Sequence, residues 1–155
     1  MANKMESNRT RCVICATRGG AGSRAVQEKA IEYAHDRQCD LIFLYVVDVS
    51  NMDQGYEKLI PAVREEMYWI GQTLLRIAQR RAETQQVTSE IIVREGQVKL
   101  EISRLVEERS AETLLMGAPR ATTVSNFGDD FVEQLALEIS QKTGVNVEIV
   151  RPEEG

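Results

Sequence analysis

The stretch RCVICATRGGAGSRAV, residues 11–26, passes from an apolar run through a glycine-rich turn into a helical pattern. A short run that is apolar on consecutive positions is the signature of a strand covered on both faces, as parallel strands are. From Ser23 to Asp36, Val26, Ala30, Tyr33 and Ala34 then recur at helical spacing, with Ser23 expected as the N-cap. The same alternation repeats along the chain. DLIFLYVVD (40–48) reads as a second buried strand. Leu59, Val63, Met67, Ile70, Leu74, Ile77 and Ala78 predict one apolar stripe on a long helix over about 57–83, with Pro61 in its first turn. The Met67, Tyr68 and Trp69 group on it is expected to be core. VTSEIIVRE (87–95) alternates as a half-exposed strand near a sheet edge does.

Beyond Gly96, the residues Val98, Ile102, Leu105 and Val106 predict a third helix. ETLLMG (112–117) is a fourth strand, FVEQLALEISQKT (131–143) a fourth helix, and VNVEIV (145–150) a fifth strand, with Gly144 as the residue that ends the helix. Strands alternating with helices throughout imply a mostly parallel five-stranded α/β sheet with helices on both faces. Ligands of such sheets sit at the carboxyl ends of the strands, where the strand order reverses. The ends at Thr17 and Arg18 and at Met116 and Gly117 therefore frame the candidate site.

A chain of 155 residues has room for one domain, expected over 11–152 behind a loose polar arm at 1–10. A net charge of −5 and a pI near 5.1 argue against a nucleic-acid partner, which requires a basic face. The basic cluster RIAQRRAE (76–83) is expected to be a solvated helix end. No apolar run nears the ~20 residues that span a bilayer, and the first residues lack the apolar centre of a signal peptide, so the cytoplasm is the expected compartment. Cys12, Cys15 and Cys39 suit neither a disulfide framework nor a zinc site, and are expected as buried thiols. CVIC lies in a strand pattern, whereas a redox C-x-x-C sits at a helix N-terminus. His35, the one histidine, is expected near a helix C-terminus, interacting with carbonyls.

The glycine loop does not match a phosphate-binding P-loop, because it has no lysine and the wrong spacing. Gly20, Gly22 and Ala25 satisfy a dinucleotide G-x-G-x-x-A pattern, with Asp48 where a ribose-binding acid would stand, but Arg18 and Gly19 intervene between strand and pattern. The loop from Gly117 to Gly128, MGAPRATTVSNFGDD, could instead bring phosphates against a helix N-terminus.

The element order, together with ATRGGAGSRAV, LYVVD, VREGQV, LLMGAPR and FGDDFVE in that succession, resembles the universal stress protein family from about Arg11 to Pro152. The resemblance implies strand order 3-2-1-4-5, a homodimer paired through strand 145–150, and a regulatory or binding role in stress response rather than an enzymatic one. Some members bind ATP or AMP. Their pattern places an Asp after strand 1, a Val in strand 2 beside adenine, and G-x-x-G-(nine residues)-G-[ST] after strand 4. Val46 and Gly117 fit. Arg18 stands where the acid is expected, Arg120 where the second glycine is expected, the loop to Gly128 is two residues short, and Asp129 replaces the final hydroxyl residue.

A carboxylate at a helix N-terminus only accepts, and repels an anion by about 4 kcal/mol at ~4 Å for an effective dielectric of 20. The sequence thus predicts that Arg18 or Arg120 pairs with Asp129 or Asp130, closing the phosphate end with the chain's own charges and disfavouring ATP. Two arginines beside a cleft could equally take an anionic ligand other than ATP. The alternative reading is an ATP- or AMP-binding member with Thr17, Val46, Gly117 and Gly128 as contacts. A small α/β enzyme or a dinucleotide-binding protein is weaker, because no G-x-S-x-G elbow or metal-spaced histidine is present. Without the family, the alternating Val145, Val147 and Ile149 still argue that an edge strand there must be covered or paired.

Overall fold

Val13 and Cys15 turn to one side of their strand and Cys12, Ile14 and Ala16 to the other, and all five are buried, so β1 (Cys12–Ala16) needs cover on both faces. The computed structural model describes residues 11–17, 21–50, 54–118 and 126–152, and only the backbone of 21, 22, 54 and 126–130. In it β1 pairs in parallel with β2 (Asp40–Val47) and with β4 (Thr113–Gly117). β3 (Ser89–Glu95) extends the sheet beyond β2, and β5 (Asn146–Val150) extends it beyond β4. The order is 3-2-1-4-5 with every pairing parallel, as expected.

Helices α1 (Ala21–Arg37) and α2 (Ile60–Thr84) cover one face, and α3 (Val98–Arg109) and α4 (Asn126–Thr143) the other. The first core gathers Val13, Cys15, Leu41, Phe43 and Leu115 of the sheet against Val26, Ala30, Leu75 and Ala78 of the helices. The second sets Ile14, Leu44 and Met116 against Ile102, Leu105, Leu135 and Ile139. The thiols are free and buried. Burial pushes that of Cys12 up to about 11 and raises that of Cys15; it raises Cys39 to about 12 with help from Glu112, whose Oε1 accepts from Cys39 Sγ at 3.0 Å.

The long helix departs from the sequence reading. Its inward stripe is Gly71, Leu75, Ala78 and Ala82, while the expected stripe residues Leu59, Ile70 and Ile77 are exposed and Trp69 is 66% exposed. The cause is a close approach: the ring of Tyr45 in β2 lies where a Cβ on Gly71 would stand, 2.5 Å from Tyr45 Cδ1. Tyr45 draws the Gly71 side of α2 onto the sheet, so the helix turns its small residues inward and part of its apolar surface outward.

Helix ends differ in smaller ways. α1 begins at Ala21, so Ser23 lies inside it, where Ser23 Oγ accepts from Gln27 Nε2 instead of capping. α4 begins at Asn126, five residues before its apolar period starts, because periodicity marks the packed part of a helix and here about a turn precedes it. Gly144 has the positive φ expected of it, +79°. His35 meets Asp36 Oδ1 at 3.3 Å in the last turn of α1 rather than a carbonyl.

Candidate functional site

β1 ends at Ala16, opposite Leu44, while β2 runs on to Val47. The shortfall opens a cavity of about 930 Å3 at the carboxyl ends of β1, β2 and β4, where the strand order reverses. Its apolar base is Ala16, Leu44 and Met116, with Ile102 from α3 and Leu135 and Phe131 from α4 as walls. Of the predicted site residues, Thr17, Val46 and Gly117 line it.

Peptide groups along a strand alternate sides with period two. The C=O of Leu44 accepts from Thr17 N–H at 2.8 Å, so it faces β1; that of Val47 accepts from Gly96 N–H at 2.9 Å, so it faces β3. Val46 therefore turns its N–H and C=O to the β1 side, past the point where β1 pairing has ended. That leaves an adjacent donor and acceptor at the cavity, with the Val46 side chain packed towards the second core. Thr17 is 3% exposed and donates its hydroxyl to the Leu44 carbonyl at 3.3 Å, so it is a strut of the site more than a free donor. Asp48 also lines the cavity, but its Oδ1 accepts from Ser50 N–H at 2.9 Å and from Ser50 Oγ at 2.5 Å, which commits this acid to closing its own turn.

The sequence reading missed the polar rim. Lys99 Nζ of α3 meets Glu138 Oε2 of α4 at 3.2 Å, and Gln134 Nε2 donates to Glu138 Oε1 at 3.1 Å. All three line the cavity, and the hydrogen bonds from Gln134 and Lys99 hold the Glu138 carboxyl below the usual carboxylate range. No sequence signal links Lys99 to Glu138; only the packing of α3 on α4 joins them. The entry to α3 is set by Gly96, with φ +150°, where a Cβ would stand 2.7 Å from Glu101 Oε2. Glu101 is a buried acid that accepts from Arg104 Nη1 at 2.9 Å.

Arg18 and Arg120 lie outside the described residues. Gly128, Asp129 and Asp130 are placed by backbone alone within the first turns of α4, not ahead of it, so the expected pairing of these arginines and aspartates falls outside what the structure describes. Among the described residues no group of three or more His, Cys, Asp and Glu side chains could hold a metal ion, and no helix is long and apolar enough to cross a membrane.

Solved structures resemble this fold over nearly all of the chain. The universal stress protein UspA from Lactobacillus plantarum superposes with a TM-score of 0.70 at 18% identity, covering 92% of this chain and 99% of that one. A universal stress protein in complex with cAMP gives 0.64 at 19% identity, covering 92% and 98%. A universal stress protein family protein from Arabidopsis thaliana with AMP bound gives 0.57 at 13% identity, covering 92% of each. No curated protein sequence matches the chain at a significant level. The sequence model described as the universal stress protein family matches residues 10–145, a span that takes in the glycine loop, the cavity and all but the last strand. With the strand order and the cavity at its reversal, that match places the chain in the universal stress protein family.

Proposed function

We propose that this chain is a non-catalytic regulatory module of stress response, cytoplasmic and homodimeric, whose cavity takes the nucleoside part of an adenine nucleotide. The observation that carries the reading is the open donor–acceptor pair of Val46 above an apolar base. A flat heterocycle edge that presents one acceptor and one donor, as adenine does, matches that pair while its faces lie against Ile102 and Met116. The related structures with AMP and with cAMP support this ligand class. The sequence carries Asp129 in place of the hydroxyl residue of the nucleotide-binding pattern, followed by Asp130, so a triphosphate is expected to add little affinity.

Calorimetric titration of the purified chain with adenosine, AMP, cAMP and Mg-ATP tests this. Adenosine and the monophosphates are expected to bind within about tenfold of one another, with Mg-ATP no tighter. Mg-ATP binding a hundredfold tighter than adenosine would overturn the exclusion of phosphates, and no heat with any of the four would overturn the ligand class.

The homodimer uses the free edge of β5. The C=O of Val150 faces β4, where it accepts from Ala118 N–H at 2.9 Å, so the peptides of Val147 and Ile149 face outward by the same alternation. Val147→Pro removes an outward N–H while sparing the β4 ladder, and is expected to shift the chain from dimer to monomer in sedimentation. An unchanged dimer would locate the interface elsewhere.

A further inference from the structure

The outward face of α2 carries the residues that the Tyr45–Gly71 contact turned away from the core. Trp69 is 66% exposed, Ile70 41% and Ile77 44%, and Glu66, Arg76 and Arg80 are exposed around them. Glu66, Trp69, Thr73, Arg76 and Arg80 follow one another at spacings of three, four, three and four residues, the seam of a helix that packs along another helix. Ile70 and Ile77 flank that seam. Among the described residues the side chains of Glu66, Arg76 and Arg80 take part in no ion pair or hydrogen bond. Arg76 and Arg80, one turn apart, repel each other.

Between positions 66 and 80 the charges of this face are ordered, Glu66 towards the start of the helix and Arg76 and Arg80 towards its end. A helix of that polarity is complementary to itself when two copies run antiparallel, because a twofold axis brings the start of one against the end of the other. With the axis at Thr73, position 66 of one copy faces position 80 of the other, 69 faces 77, and 70 faces 76. Glu66 then meets Arg80 twice, at points about 21 Å apart along the helices at 1.5 Å per residue. Trp69 lies against Ile77, and Ile70 lies against the aliphatic stem of Arg76.

We infer that this face of α2 is a second self-association surface, on which α2 packs antiparallel against α2 of another copy in a register centred on Thr73. It is separate from the β5 edge, so a β5-paired dimer would assemble further through it. The apolar residues supply the area removed from water, and the ion pairs fix direction and register.

The chain has one tryptophan, and it lies on this face, so its emission reads the surface directly whatever β5 does. In the otherwise native chain, Trp69 emission is expected to shift to the blue with rising protein concentration, together with an added association step in sedimentation. Glu66→Arg and Arg80→Glu, each alone, put like charges opposite each other at both symmetric points. Each is expected to weaken association at least tenfold while circular dichroism stays unchanged. An equimolar mixture of the two variants restores opposite charges at both points, and is expected to recover both the association and the blue shift. Solvent-exposed, concentration-independent emission up to on the order of 100 μM would overturn the proposal. So would single variants that associate like the parent, or a mixture of the folded variants that stays apart. A blue shift produced by vesicles of anionic lipid but not by concentration would assign the face to a membrane surface and overturn it equally.

Discussion

Phe43→Ala is expected to lower the unfolding free energy by about 3–5 kcal/mol, the cost of removing a fully buried aromatic side chain and leaving a cavity. Phe43 is 0% exposed, on the side of β2 that faces α1 and α2, within the cluster that includes Leu41, Leu75 and Ala78. β2 lies between β1 and β3, so the backbone around the cavity is held on both sides and has little freedom to collapse into the space. Set against the ~5–15 kcal/mol that holds a domain of ordinary stability, this is a large share. Urea denaturation checks it: the midpoint should fall steeply with little change of slope. Leu137→Ala, at an exposed apolar position on α4, is the control and should move stability by no more than about 0.5 kcal/mol. Equal effects at the two sites would mean that the core is not organised around β2.

Val46→Pro is expected to weaken nucleoside binding by roughly 30-fold to 1,000-fold with a small effect on folding. Proline deletes the Val46 backbone N–H that faces the cavity and puts its ring in that place. A lost hydrogen bond accounts for ~1 kcal/mol, and a ligand acceptor left unsatisfied in an apolar cleft adds about 1–3 kcal/mol. The β2–β3 ladder is spared, since the peptides that face β3 belong to the residues on either side of Val46, and Gly96 N–H still reaches the Val47 carbonyl. Calorimetry with adenosine, beside thermal unfolding of the same sample, separates the two effects. Undiminished affinity in a folded variant would show that the ligand is not held at the Val46 peptide.

The strands were legible because their apolar runs are short and bounded: CVICA and LLM are buried on both faces, and a strand covered on both sides by helices has no polar face to show. The edge position of β3 was legible for the complementary reason. Its polar positions remain outside, where Arg109 grips both oxygens of Glu90 and Arg94 both oxygens of Glu108. The ends of helices were less so. Gly144 announces its left-handed turn, but Gln38, Gln86 and Ser110 adopt positive φ after α1, α2 and α3 without a glycine to mark them. An isolated left-handed residue costs roughly 1–2 kcal/mol, which the packing of the following strand offsets without any local signal.

Half of the candidate site was readable in the same way. Thr17, Val46 and Gly117 stand where strands end, and strand ends at a reversal of order are a property of connectivity. Lys99, Gln134 and Glu138 were not, because they belong to helical positions that read as ordinary surface until α3 and α4 pack side by side.

What the sequence determined by itself is the alternation of strand and helix, and with it the parallel sheet, its order through the family resemblance, and the end of the sheet at which the cavity opens. The alternation and the parallel sheet follow from local hydrophobic period and short connections, which each segment carries alone. What only the tertiary structure decided is which way each helix is rotated. The face of α2 that meets the sheet was fixed by the Tyr45 ring against Gly71, two residues twenty-six positions apart in the chain. A helix with apolar residues on more than one side has several rotations of similar burial, and a single close contact from another element selects among them.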